Sequence, residues 1–158
     1  MADNCLVCAT NWLGDCIMSM PALQLFRRHY PGARLTVLSK PGLVPLWRMH
    51  SSVDDVVALP RRPTGTLRAG RGLRERRFDR CYIFPNSFRS ALIPFLAGIR
   101  ERIGMRGHQR SWMLTRIVRP EAEPPREHQL WEYIEVMELP FHGGKPPDPE
   151  IAVTARQL

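Results

Sequence analysis

The sequence predicts an α/β domain built on a parallel sheet with helices on both faces. Three observations carry this. Short apolar runs such as Cys5-Leu6-Val7-Cys8-Ala9 have the length and composition of buried parallel strands. They alternate with segments of helical character, and that rhythm gives a parallel sheet with right-handed crossovers. The chain has 158 residues, 44% of them apolar, enough for one domain with a real core.

Strand one is expected over 4–9. A helix follows from Ala22 to Tyr30, its last turn carrying Arg27, Arg28 and His29, cations that suit a helix C-terminus. Pro21 either opens this helix or kinks a longer one that starts near Asp15. Pro31-Gly32 ends it. Strand two is Arg34 to Ser39, followed by Pro41-Gly42 and a short helix from Leu43 to Met49. Val53 to Leu59 reads as strand three.

The stretch Arg61 to Arg80 holds eight arginines. Pro63, Gly65, Gly70 and Gly72 mark its first half as a loop, and Leu73 to Arg77 closes as helix. It is either a solvated charged surface or an electropositive rim for an anionic partner. Strand four is Arg80 to Phe84 and an apolar helix runs from Phe88 to Ala97, with Asn86 or Ser87 as its N-cap. Free N–H groups in that turn attract anions, and Arg89 adds a charged fork. Strand five lies near Glu101 to Gly104, and a basic loop runs from Arg106 to Ser111. Pro120 to Pro125 is a linker. A helix from His128 to Leu139 buries one face through Leu130, Trp131, Ile134 and Met137 or Glu138. Residues 1–142 form the domain, and 143–158 read as an interdomain linker or the truncated start of a further domain.

The net charge is +8, almost all of it from arginine, since Lys40 and Lys145 are the two lysines. That balance suits an anionic partner. Nucleic acid is not expected: the arginines cluster without interleaved aromatics, and no recognition helix or RNP-like strand is present. No apolar run approaches the ~20 residues of a membrane span. Met1-Ala2-Asp3-Asn4 has no basic leader, so a cytoplasmic protein is expected. Cys5 and Cys8 have C-x-x-C spacing. Residues three apart on a strand face opposite ways, however, and no second pair completes a zinc site. Cys5, Cys8, Cys16 and Cys81 read as buried free thiols of a reducing compartment. No metal and no cofactor are expected, and the first loop, with Gly14 alone, lacks G-x-G-x-x-G.

Between strand one and its helix stands Asn11-Trp12-Leu13-Gly14-Asp15. Ligands of open α/β sheets bind at that edge. Gly14 permits close approach or a positive φ. Asp15 either caps the helix or places a carboxylate able to take a proton from a hydroxyl.

Three blocks carry a family likeness. They are Gly14-Asp15 with Pro21-Ala22-Leu23 downstream, Phe78-Asp79-Arg80-Cys81-Tyr82-Ile83-Phe84-Pro85-Asn86-Ser87-Phe88-Arg89-Ser90-Ala91, and Arg102-Ile103-Gly104-Met105-Arg106-Gly107. Their order and spacing resemble the heptosyltransferases of lipopolysaccharide core assembly, glycosyltransferase family 9, and favour the II branch over the I branch. The resemblance implies the N-terminal, acceptor-side half of a GT-B glycosyltransferase, a Rossmann-like open sheet. It implies inverting transfer of heptose from ADP-heptose to the lipopolysaccharide inner core, without metal, peripheral to the inner membrane. Asp15 then corresponds to the general base. Asn11 and Gly14 shape its loop; Asn86, Ser87 and Arg89 hold acceptor or sugar; Arg106 and Arg110 meet the acceptor's anionic groups. The donor sits in that family on a second Rossmann-like domain, which this sequence does not contain. The expectation is a fragment or split enzyme, or alternatively a non-catalytic half that binds phosphorylated glycolipid.

Overall fold

The computed structural model describes residues 3–119, 129–140 and 144–152. Six parallel strands form one sheet: β1 (Asn4–Cys8), β2 (Arg34–Ser39), β3 (Asp55–Ala58), β4 (Arg80–Ile83), β5 (Glu101–Met105) and β6 (Arg116–Val118). Their order is β3-β2-β1-β4-β5-β6. The chain winds outward from β1 in one direction, then returns and winds the other way, so β1 and β4 flank the point where the order reverses. In such sheets that point opens a crevice at the carboxyl edge. The fold class expected from the sequence is the one found.

Central position explains composition. β1 is paired on both sides, and Cys5 to Cys8 are all buried, a continuous apolar run with no alternation. Two cores result. One holds Cys5, Val7, Phe26, Trp47 and Tyr133; the other holds Leu6, Cys8, Phe78, Cys81 and Ile93. Cys5 and Cys8 thus face opposite ways, as the spacing requires. Burial pushes the Cys5 thiol up to about 12 and the Cys16 thiol upward, which leaves both unreactive.

Among the described residues, five α-helices cover the sheet. α1 (Leu13–His29) packs on α5 (Gln129–Val136), and α2 (Val44–Arg48) contributes Trp47 to the same core. α3 (Thr66–Arg74) packs on α4 (Phe88–Leu96) over the other face. α1 is the longer helix of the two alternatives. It begins before Asp15 and runs through Pro21, whose ring forfeits the bond to the Ile17 carbonyl. The burial of Cys16, Ser19 and Met20 outweighs that loss.

Two elements depart from expectation. The glycine-rich stretch is no loop: a 3₁₀ turn over Pro63–Gly65 leads into α3. Gly70 is the reason, since a Cβ there would come within 2.6 Å of the Leu96 Cβ, so the glycine lets α3 lie close on α4. The arginines of α3 stay on its solvent side, around buried Gly70 and Leu73. β6 was not anticipated; three residues of Arg-Ile-Val at a sheet edge give too short a pattern. The expected linker Pro120–Pro125 and His128 lie outside the described residues. Residues 144–152 have no regular structure but are tied back: Gln24 Nε2 donates to the Asp148 carbonyl at 3.0 Å, and the Ala152 amide to the Met49 carbonyl at 2.8 Å.

His50 makes one stability prediction. It is 2% exposed, its Nδ1 accepts from the Ser52 amide at 3.2 Å, and burial lowers its pKa to about 4. The unfolded chain therefore binds this proton more readily than the folded one. Stability is fully present above about pH 6.5 and falls as pH drops toward 4, by about 3 kcal/mol from this residue. Urea unfolding at pH 7 and pH 4.5 should show a steeper acid loss in the wild type than in His50→Gln. Equal slopes would remove His50 from the account.

Candidate functional site

The carboxyl edge carries two adjoining cavities. One is a small cavity of about 60 Å³ between the ends of β1, β2 and β4, lined by Cys8, Ala9, Asn11, Leu38, Leu59, Pro85, Ser87, Arg89, Ser90 and Ile93. The next, a more open cavity of about 370 Å³, is lined by Asn11, Lys40, Pro41, Gly42, Leu59, Pro60, Arg61 and Arg89. Asn11, Leu59 and Arg89 belong to both, so they form one groove. Its walls are the segments that follow β1, β2, β3 and β4. Lys40, Arg61 and Arg89 give it a cationic rim over an apolar floor.

Local chemistry sets each wall. Ser87 is the N-cap of α4, its Oγ accepting from the Ser90 amide at 3.2 Å. Arg89 reaches back, donating from Nε to Thr66 Oγ1 at 3.2 Å and from Nη2 to the Pro60 carbonyl at 3.0 Å. It ties α4 to the start of α3 while lining the groove. Lys40 Nζ donates to the Asn11 carbonyl at 3.4 Å and lies 5.7 Å from the Trp12 ring centroid. Trp12, 74% exposed, is the most open large apolar side chain among the described residues.

Asp15 lies in the first turn of α1, where a carboxylate faces the positive helix end. It is not the cap: Trp12 occupies that position, and among the described residues the Asp15 side chain makes no hydrogen bond. Its charge is felt by Tyr133 of α5, whose hydroxyl is buried without a partner among the described residues and whose pKa is raised chiefly by that burial. Asp15 does not line the groove. Neither cavity has Asp15 among its lining residues, and along the chain Asp15 follows the groove residue Asn11 by four positions. Gly14 has ordinary helical backbone, not the positive φ considered from sequence. A Cβ there would meet nothing within 4 Å, so its value is open space beside Asp15.

Of the other expected residues, Asn11, Ser87 and Arg89 come together in the groove. Asn86 is exposed in the adjoining turn without lining it, and Arg106 is exposed past β5. Arg110 corrects its expectation. It is 0% exposed, and its guanidinium is taken up by backbone carbonyls and Ser90 Oγ. It has no surface with which to touch an acceptor. Sequence reasoning missed Lys40 and Pro41-Gly42 as wall residues; their place directly after β2 was the available signal. Among the described residues, no group of three metal-ligating side chains gathers, and no helix is long and apolar enough to cross a membrane.

A doubly wound sheet with a polar, cationic groove at its switch point defines a Rossmann-like ligand-binding half of the kind found in GT-B glycosyltransferases. The family profile of glycosyltransferase family 9 (heptosyltransferase) matches residues 66–157. The chain belongs to glycosyltransferase family 9. It is 37% identical over 127 residues to lipopolysaccharide heptosyltransferase 2 of Escherichia coli K12, covering 75% of this chain and 36% of that protein. Lipooligosaccharide heptosyltransferase 2 of Haemophilus ducreyi is 27% identical over 150 residues, 92% of this chain and 41% of the relative. The solved E. coli ADP-heptose lps heptosyltransferase II superposes with a TM-score of 0.82 at 27% identity, over 97% of this chain and 47% of that one. E. coli heptosyltransferase WaaC with ADP shares the fold at a TM-score of 0.69 and 21% identity, over 94% and 50%. The chain thus spans a little over a third of the curated relatives and about half of the solved chains.

Proposed function

We propose that this chain is the acceptor-side domain, over residues 1–142, of an inverting heptosyltransferase. The activity is transfer of heptose from ADP-heptose to the inner core of lipopolysaccharide. The observation that carries the reading is the pairing of a free carboxylate with a cationic groove across one short loop. Asp15 is the general base. The acceptor hydroxyl attacks the anomeric carbon of the donor as its proton passes to an Asp15 oxygen. The bond from the anomeric carbon to the diphosphate breaks with its electrons, and ADP departs from the opposite face. A base so placed contributes roughly 10²–10⁴-fold.

Asn11, Ser87 and Arg89 bind the acceptor in the groove, with Asn86 shaping the turn and Gly14 leaving the path to Asp15 clear. Arg106 and the rim cations Lys40 and Arg61 meet the acceptor's anionic groups. The donor is held by a second domain, and residues 143–158 lead toward it. The exposed arginines of α3 and the preceding turn, with Leu67 and Phe88 exposed beside them, support a peripheral place on the cytoplasmic face of the inner membrane.

The test is heptose transfer by the protein expressed from its native gene. ADP-heptose and a core acceptor already carrying one heptose are supplied, and the product is read by mass spectrometry. A mass gain of one heptose with release of ADP supports the reading. Acceptor binding with no transfer, in the presence of a donor domain from a relative, would favour the binding-only alternative.

A further inference from the structure

Arg110 is a fully buried arginine with no carboxylate partner among the described residues. Nε and Nη2 donate to the Met105 carbonyl at 3.2 and 2.8 Å. Nη1 donates to the Pro85 carbonyl, to the Ser87 carbonyl at 3.4 Å and to Ser90 Oγ at 3.1 Å. All of these acceptors are neutral. The seat is cut for it by two glycines. A Cβ at Gly104 would lie 2.9 Å from Arg110 Nη2, and one at Gly107 would lie 2.8 Å from Arg110 Cδ.

A buried ion is costly to desolvate, and a well-packed apolar side chain could often fill such a site at no loss of stability. The charge here therefore asks for a use. Pro85, Ser87 and Ser90, which Nη1 grips, are themselves wall residues of the edge groove. The cation lies directly behind that wall, shielded from water, where its field is weakly screened.

We infer that Arg110 is a positioning residue of the groove. It holds the Pro85–Ser90 turn in shape, and its uncompensated positive charge makes the adjoining pocket select an oxyanion group on the ligand, a phosphate or a carboxylate. Arg110 acts through the turn and through its field, without touching the ligand. The inference deepens the acceptor reading and rests on it for the ligand's identity, but its test uses no heptose transfer.

The full chain, labelled with ¹⁵N, is titrated with glucose 6-phosphate, with glucuronate and with neutral glucose, following the Ser87 and Ser90 amides. The wild type should show saturable shifts with at least one anion, and which anion does so separates a phosphate ligand from a carboxylate. Arg110→Met should weaken anion binding at least tenfold while leaving the weaker glucose response within about twofold. Arg110→Lys, which keeps the charge, should recover most of the loss. Equal anion affinity in Arg110→Met and wild type overturns the proposal, as does the lack of any saturable anion shift in the wild type. Parallel loss of glucose and anion binding would reduce Arg110 to a structural part. If Arg110→Met does not fold, Arg110→Lys decides: it keeps the buried charge and gives up the fork that grips the turn, so a loss of anion preference there refutes the field.

Discussion

Replacing Asp15 by Asn should lower kcat for heptose transfer by roughly 10²–10⁴-fold, with the acceptor KM changed by less than about threefold. The substitution keeps size and polarity and removes the ability to take a proton. The fold should not suffer, because among the described residues the Asp15 side chain makes no hydrogen bond and caps no helix. Loss of its favourable place at the α1 N-terminus costs about 0.3–1 kcal/mol at most. Steady-state kinetics and thermal unfolding of the two proteins, side by side, make the check. A variant retaining full kcat would move the base elsewhere, and one that lost stability and activity together would make Asp15 a structural residue.

Gly107→Ala should destabilise the chain by about 1–3 kcal/mol, the usual cost of overpacking. The added Cβ would stand 2.5 Å from the Asn86 carbonyl oxygen and 2.8 Å from Arg110 Cδ. The oxygen is backbone, so relief requires the Asn86 turn itself to move, and that turn is a wall of the groove. Acceptor KM should therefore rise along with the loss of stability. Gly72→Ala is the control. It lies on the exposed side of α3 with nothing within 4 Å of a Cβ, so alanine should be neutral or stabilise by up to about 1 kcal/mol. Urea midpoints of both variants decide the matter. Equal midpoints would mean that the turn yields freely and that the glycine is not a packing requirement.

The central strands β1, β2, β4 and β5 were readable because central parallel strands must be apolar on both faces, and that leaves runs such as Cys5 to Cys8 without interruption. The edge strand β6 was not readable, because an edge strand of three residues needs little burial and carries no such run. Gly70 misled for the opposite reason. Glycine reads as a helix breaker in isolation, yet here it is the contact that lets two helices approach. Pro21 left two helix starts open, since its cost is local and the burial that outweighs it is tertiary.

The same division runs through the candidate site. The residue types and their order along the chain identified the edge loops, because Gly-Asp after one strand and Pro-Asn-Ser after another are local features of chain chemistry. Asn11, Ser87 and Arg89 were legible on that basis, and the groove unites them. Whether an arginine in a basic loop faces water or the interior is not a local property. Arg106 and Arg110 have the same charge, four residues apart, and one is exposed while the other is fully buried. The sequence by itself determined the α/β class, the order of the elements and the edge that carries the polar residues, since periodicity and turn chemistry act within a few residues. Tertiary structure alone decided that Gly104 and Gly107 clear a seat for Arg110, that Lys40 joins the groove and that Asp15 stands across a loop from it. Those facts depend on which segments meet through the sheet, and contacts between residues far apart in the chain leave no spacing to read.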